Sequence, residues 1–223
     1  RECNMRWREQ DVFWLEQVDD ASVVVASRMA RSSVDCIDGI QFLNIPAVFP
    51  ILLATRLSRQ DHLPSQYFRW VQEHGESSSK IKACNLSQWY QCMTDDWKMV
   101  VDVLSSNLVM DTLQEMLGVR DELTFSTCEF VREQSGYERE LKHDFDICKA
   151  RLEIFLPPID KIRDKGDIQL STTVSQKTLE GRVTIAPQDY VSNRGWACLC
   201  NQDTKLARGH SDKARNLIVV RYK

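Results

Sequence analysis

The sequence predicts an α+β protein in which a helical N-terminal layer, residues 1–119, supports a C-terminal jelly roll, residues 120–223, within a single domain. Three observations predict it. Apolar residues recur at helical spacing as far as Leu117, and the period shortens to that of strands after Gly118. Short segments rich in Val, Ile, Leu, Phe and Thr then follow, separated by Gly, Pro, Asn and Asp turns at the spacing of a sandwich or barrel.

Taken in chain order, Trp7, Trp14, Leu15 and Val18 recur at helical spacing and predict a helix from Met5 to Val18. Val23 to Ala26 is β-branched and predicts a short strand. Pro46 and Pro50 forbid one long helix through the apolar run 40–54. Pro64 and Ser65 read as a helix start that carries Phe68 and Val71 inward. Residues 75–80, Gly-Glu-Ser-Ser-Ser-Lys, read as a polar loop. Trp97, Val100, Val101 and Leu104 form the stripe of one helix; Val109, Leu113, Met116 and Leu117 form that of a second, which Gly118 ends. Strands are predicted at 122–131, 137–143, 150–156, 167–174, 182–185, 195–200 and 215–222.

Composition narrows the function classes. Hydrophobic residues at 43% against 27% charged are a globular balance and exclude wholesale disorder. The net charge of -3 comes with no basic block, which argues against nucleic acid and anionic membranes as partners. No apolar run is long enough to span a bilayer, and no charged-then-apolar leader opens the sequence, so a cytoplasmic or other intracellular location is expected. The eight cysteines are scattered without a C-x-x-C pair and read as buried free thiols rather than zinc ligands or disulfides. Cys198 and Cys200 would share one face of a strand.

Four histidines are present: His62, His74, His143 and His210. The first two stand in polar surroundings and read as surface residues. His143 and His210 each lie at the edge of a predicted strand, and a jelly roll can bring such distant strands side by side. Two imidazoles and one carboxylate with open positions form the facial arrangement of non-haem Fe(II) oxygenases. The bland alternative is two unrelated structural histidines.

The residues around them have a recognisable order. Phe130 to Asp146 reads aromatic, Gly136, Leu141, His143, and then Asp144-Phe145-Asp146. Ala150 to Pro157 is an apolar strand, Lys165-Gly166-Asp167-Ile168-Gln169-Leu170 a Gly-acid-Leu segment, and Val183 to Pro187 a strand into a Pro turn. Asn193 to Cys200 leads toward His210, and Arg215 to Arg221 is a last apolar strand bounded by arginines. This series, over about residues 120–223, resembles the core of the Fe(II)/2-oxoglutarate-dependent dioxygenase superfamily. The resemblance implies a double-stranded β-helix, the cofactors Fe(II) and 2-oxoglutarate, and hydroxylation of a C–H bond of a small molecule or a peptide side chain. It implies His143, His210 and an aspartate as metal ligands, and Arg215 or Arg221 for the distal carboxylate of 2-oxoglutarate, with Arg215 preferred. Glu129, Arg132 and Gln134, on the strand leading to His143, are candidates to line the pocket.

The sequence departs from the family at one ligand. The acid belongs two residues after His143, where Phe145 stands. A bulge after His143 would remove the parity constraint and swing Asp146 inward, with Asp144 as the other candidate. Two further readings remain open. One is a non-catalytic jelly-roll module that binds a ligand or protein without a working metal site. The other is a secreted protein with four disulfides and a glycan at Asn85, in the acceptor triplet Asn85-Leu86-Ser87.

Overall fold

The computed structural model describes residues 18–31, 33–37, 40–44, 48–49, 53, 57, 63–73, 76–137, 139–142, 148–156, 168–172, 183–185, 196–201, 204–208 and 214–223. The helix predicted from Met5 lies outside them apart from Val18. The first described element is helix α1 (Val18–Arg31), with Asp19 and Asp20 in its first turn and Arg28 and Arg31 in its last. Those charges complement the helix dipole. Ala21, Val25 and Met29 are buried at four-residue intervals, so the short strand expected at Val23 to Ala26 is one turn of a helix, with Val25 inward and Val23 exposed. Among these helical residues none forms a span long and apolar enough to cross a membrane, nor does any other described helix.

The N-terminal half supplies strands as well as helices. β1 (Ser33–Ile37) and β2 (Ile40–Asn44) form a hairpin, as do β3 (Arg69–Glu73) and β4 (Glu76–Asn85). The helix expected from Pro64 is a single 3-10 turn, Ser65–Tyr67, running into β3. Phe68 packs against the main core and Val71 against a second cluster, which an extended chain achieves and one helix face would not. The expected polar loop at 75–80 falls mostly on β4. Strand pairing is a backbone affair, and it needs no apolar side chains where register is held by neighbours.

Helices α2 (Asp95–Leu104) and α3 (Asn107–Leu117) follow their predicted stripes. Ser106 caps α3 by accepting from the Val109 N–H, and Gly118 ends it at φ 63. A Cβ at Gly118 would meet nothing within 4 Å, so Gly118→Ala should cost only the left-handed backbone penalty, about 1 kcal/mol, in denaturant unfolding.

The remaining strands are β5 (Phe125–Glu133), β6 (Arg139–Lys142), β7 (Ala150–Phe155), β8 (Ile168–Thr172), β9 (Val183–Ile185), β10 (Trp196–Asn201), β11 (Thr204–Arg208) and β12 (Arg215–Tyr222). All but β11 lie within or against the predicted segments. They build two antiparallel sheets. The larger has the order β1-β2-β10-β7-β12-β5-β4-β3 and the smaller β6-β11-β8-β9.

The large sheet has two unlike faces. One carries the main core, where Phe130, Leu152, Ile154, Ile218 and Val220 pack with residues of α1, α2 and α3. Trp97 of α2 meets Phe130 edge-on at 5.4 Å between ring centres, and the Tyr222 hydroxyl donates to the Leu104 carbonyl at 2.9 Å. The opposite face, called the second face below, carries a smaller cluster of Ile81, Ala83, Val131, Phe155, Leu217 and Val219, with Tyr137 from the link between β5 and β6.

Cys84, Cys92, Cys128, Cys148, Cys198 and Cys200 are free thiols, and all but Cys92 are buried. Cys198 and Cys200 do share a face, with sulfurs 3.3 Å apart. Burial, helped by the Glu129 charge, pushes the Cys84 thiol up to about 11 and Cys128 higher still. Near pH 8, about the ordinary thiol pKa, alkylation of the described cysteines should therefore reach exposed Cys92 first. Cys84 and Cys128 should stay unlabelled until the chain unfolds, which peptide mapping checks.

Candidate functional site

The second face holds an unusual density of buried charge. Arg215 pairs in register with Glu133 across β12 and β5, and its Nε lies 2.7 Å from the Glu133 carboxylate. Their side chains are 7% and 3% exposed, so both charges are out of water. Arg221 donates to Glu129 at 2.7 Å, and the same carboxylate receives the more exposed Arg69 at 3.3 Å. Arg151 is paired with Glu153, two residues on along β7 and fully buried. Isolated buried charges would be prohibitive, and pairing at hydrogen-bond distance is what makes this wall tolerable.

The register sets these pairs in rows across the strands. Arg215, Glu133 and Ile81 form one row; Phe155, Leu217, Val131 and Ala83 the next. Glu153, Val219, Glu129 and Asn85 follow, and then Arg151, Arg221 and Thr127. The wall thus carries guanidinium groups at both ends, with an apolar row next to Arg215 and a row holding Glu153 and Glu129 next to Arg151 and Arg221. Two of them, Arg151 and Arg221, are direct cross-strand neighbours, and the buried Thr127 hydroxyl beside them has no hydrogen-bond partner among the described residues.

The expected site residues distribute as follows. Arg215 and Arg221 share the second face, as their parity predicts, but six strand positions separate them by about 20 Å. One carboxylate can reach only one of them. Glu129 lies on this wall, whereas Arg132 and Gln134 line a cavity on the face that carries the helices, so these three do not share a pocket. His143, Asp144, Asp146 and His210 lie outside the described residues, and among the described residues no three His, Cys, Asp or Glu side chains converge as metal ligands.

The strand pair next to the histidines is described. Lys142, which precedes His143, is opposite Leu206; Arg208, two residues before His210, is opposite Arg139. The chain therefore leaves β6 at one end of this ladder and leaves β11 at the other, about 10 Å away.

Sequence reasoning missed Glu133, Arg151 and Glu153. A signal existed: Arg151-Leu152-Glu153-Ile154-Phe155 alternates charged and apolar residues inside an otherwise apolar segment. Alternation of that kind commonly means one solvated face, but here both faces are buried.

No family model matches the sequence, and no curated protein matches it. Solved structures do share its fold. A prolyl hydroxylase from Trichoplax adhaerens, in complex with a hypoxia inducible factor oxygen degradation domain peptide fragment, matches at a TM-score of 0.59 and 14% identity. The match covers 94% of this chain and 92% of that one. An oxidoreductase of the 2OG-Fe(II) oxygenase family from Burkholderia pseudomallei matches at 0.54 and 13% identity, over 78% of each chain. A non-heme alpha ketoglutarate dependent epimerase from nogalamycin biosynthesis matches at 0.54 and 13%, over 92% of this chain and 83% of that one. The chain has the fold of 2OG-Fe(II) oxygenases, and identities at this level speak to architecture alone.

Proposed function

We propose that this chain is an Fe(II)- and 2-oxoglutarate-dependent oxygenase on a double-stranded β-helix, hydroxylating a C–H bond of a small molecule or a peptide side chain. The observation that carries the reading is Arg215, a buried guanidinium on the last strand of the large sheet, beside the apolar residues Leu217 and Phe155 on the second face. In this reading Arg215, with Arg221 as the alternative, pairs with the distal carboxylate of 2-oxoglutarate. A guanidinium carries enough N–H donors to serve Glu133 through Nε and a second carboxylate through its terminal nitrogens. Leu217, Val219, Val131 and Phe155 would keep water from the keto acid.

His143, His210 and Asp146, or Asp144 in its place, would hold the metal. Bound together, Fe(II) and the keto acid supply the activation of O2 that C–H hydroxylation needs. The peptide-bound prolyl hydroxylase supports a peptide side chain as one substrate class.

A second reading, a binding module without a metal site, is favoured by one observation. The segments carrying His143 and His210 start from opposite ends of the β6–β11 ladder. One ion shared by both histidines requires one of those segments to fold back. Calorimetric titration with Mn(II) and 2-oxoglutarate separates the two. The oxygenase reading expects one metal per chain, lost in His143→Ala and in His210→Ala, and succinate formed with Fe(II) and O2. Metal binding unaltered in both variants, or keto-acid binding with no metal at all, would rule it out.

A further inference from the structure

The face of the large sheet that carries the helices has a cavity of its own. It measures roughly 240 Å3 and is lined by Leu63, Ser65, Phe68, Lys82, Arg132 and Gln134. Lys82 and Arg132 are direct partners in the β4–β5 ladder, so two cationic side chains stand side by side on one face. Like charges directly opposite one another destabilise a sheet. On the second face every buried arginine has its glutamate. Here the described residues offer neither cation a carboxylate.

Each cation is held in a manner that leaves its charge uncompensated. The Lys82 ammonium lies 4.2 Å from the centre of the Trp70 ring, which favours a cation without neutralising it. The Arg132 Nε is buried and meets no acceptor among the described residues. Burial also works against its charge and lowers its pKa from the ordinary guanidinium value. Beside them the lining is apolar and fixed. Leu63 is buried, and the Phe68 ring stands edge-on to Phe130 at 5.9 Å between ring centres.

We infer that this cavity binds a small organic carboxylate, its charged head between Lys82 and Arg132 and its apolar body on Leu63 and Phe68. The Gln134 amide and the Ser65 hydroxyl add polar groups at the rim. The volume is a little below the common range of ligand pockets, about 300–1,000 Å3, which suits a single-ring acid better than a nucleotide. Because the cavity is on the face opposite Arg215 and Arg221, the inference stands independently of the function proposed above.

The test is a titration of the full chain with 4-fluorobenzoate, followed by 19F NMR. Saturable binding with a Kd on the order of 1 mM is expected of a ligand this small. Lys82→Gln and Arg132→Gln should each weaken it about tenfold or more, while Lys149→Gln, a cation distant from the cavity, should leave it unchanged. Arg132→Lys keeps the charge and should retain most of the affinity, which guards against a misfolded Arg132→Gln. Binding too weak to saturate by about 10 mM, or an equal Kd in wild type, Lys82→Gln and Arg132→Gln, would overturn the assignment.

Discussion

Glu133→Ala should lower the unfolding free energy by about 3–5 kcal/mol, because it strands the Arg215 charge in a nearly dry environment. The cost comes from the charge left behind rather than from the value of the pair itself. Glu133→Leu combined with Arg215→Met should therefore recover most of the loss, since apolar groups of similar volume neither need water nor lack a partner. Urea denaturation of the single and double variants measures both effects. A double variant as unstable as Glu133→Ala would mean that the ion pair itself, and not its desolvation, dominates.

The same pair governs the second large effect. If Arg215 receives the distal carboxylate of 2-oxoglutarate, Glu133 competes for the same guanidinium, and Glu133→Leu should bind the keto acid more tightly than wild type. Arg215→Met in that background should weaken binding by about 3–5 kcal/mol, a factor of roughly 150 to 5,000. Working in the Glu133→Leu background removes the stranded glutamate that would otherwise confuse affinity with misfolding. The parallel change at the other end of the strand, Glu129→Leu with Arg221→Met, should leave affinity nearly unchanged. The reverse ranking in isothermal titration would transfer the role to Arg221.

Elements whose stability is local were legible in the sequence. The stripes of α2 and α3 and the left-handed cap at Gly118 depend on residues within a few positions of one another. β12 was readable because nearly all of its residues are buried. Elements decided by distant partners were not. Val23 to Ala26 has strand-like side chains, yet flanking acids and bases and the buried series Ala21, Val25 and Met29 make it a helix. The serines of β4 carry no apolar period; Ile81 to Asn85, in register with β5, carry that strand into the sheet. At the candidate site, the shared parity of Arg215 and Arg221 followed from counting residues. Their glutamate partners did not, because Arg215 and Glu133 meet only through a register that joins residues far apart in sequence.

The position of β12 has a consequence for the order of events in the cell. It lies between β7 and β5 and, among the described strands, alone joins the β1-β2-β10-β7 half of the large sheet to the β5-β4-β3 half. Each half can pair internally as it is synthesised, but neither can join the other until Tyr222 has left the ribosome. Until then the flanks of β5 and β7 that await β12 are open edges, able to pair with another nascent chain. The risk of such mispairing is therefore greatest in the interval before β12 emerges. Completion of the sheet is a late and long-range step rather than a local one.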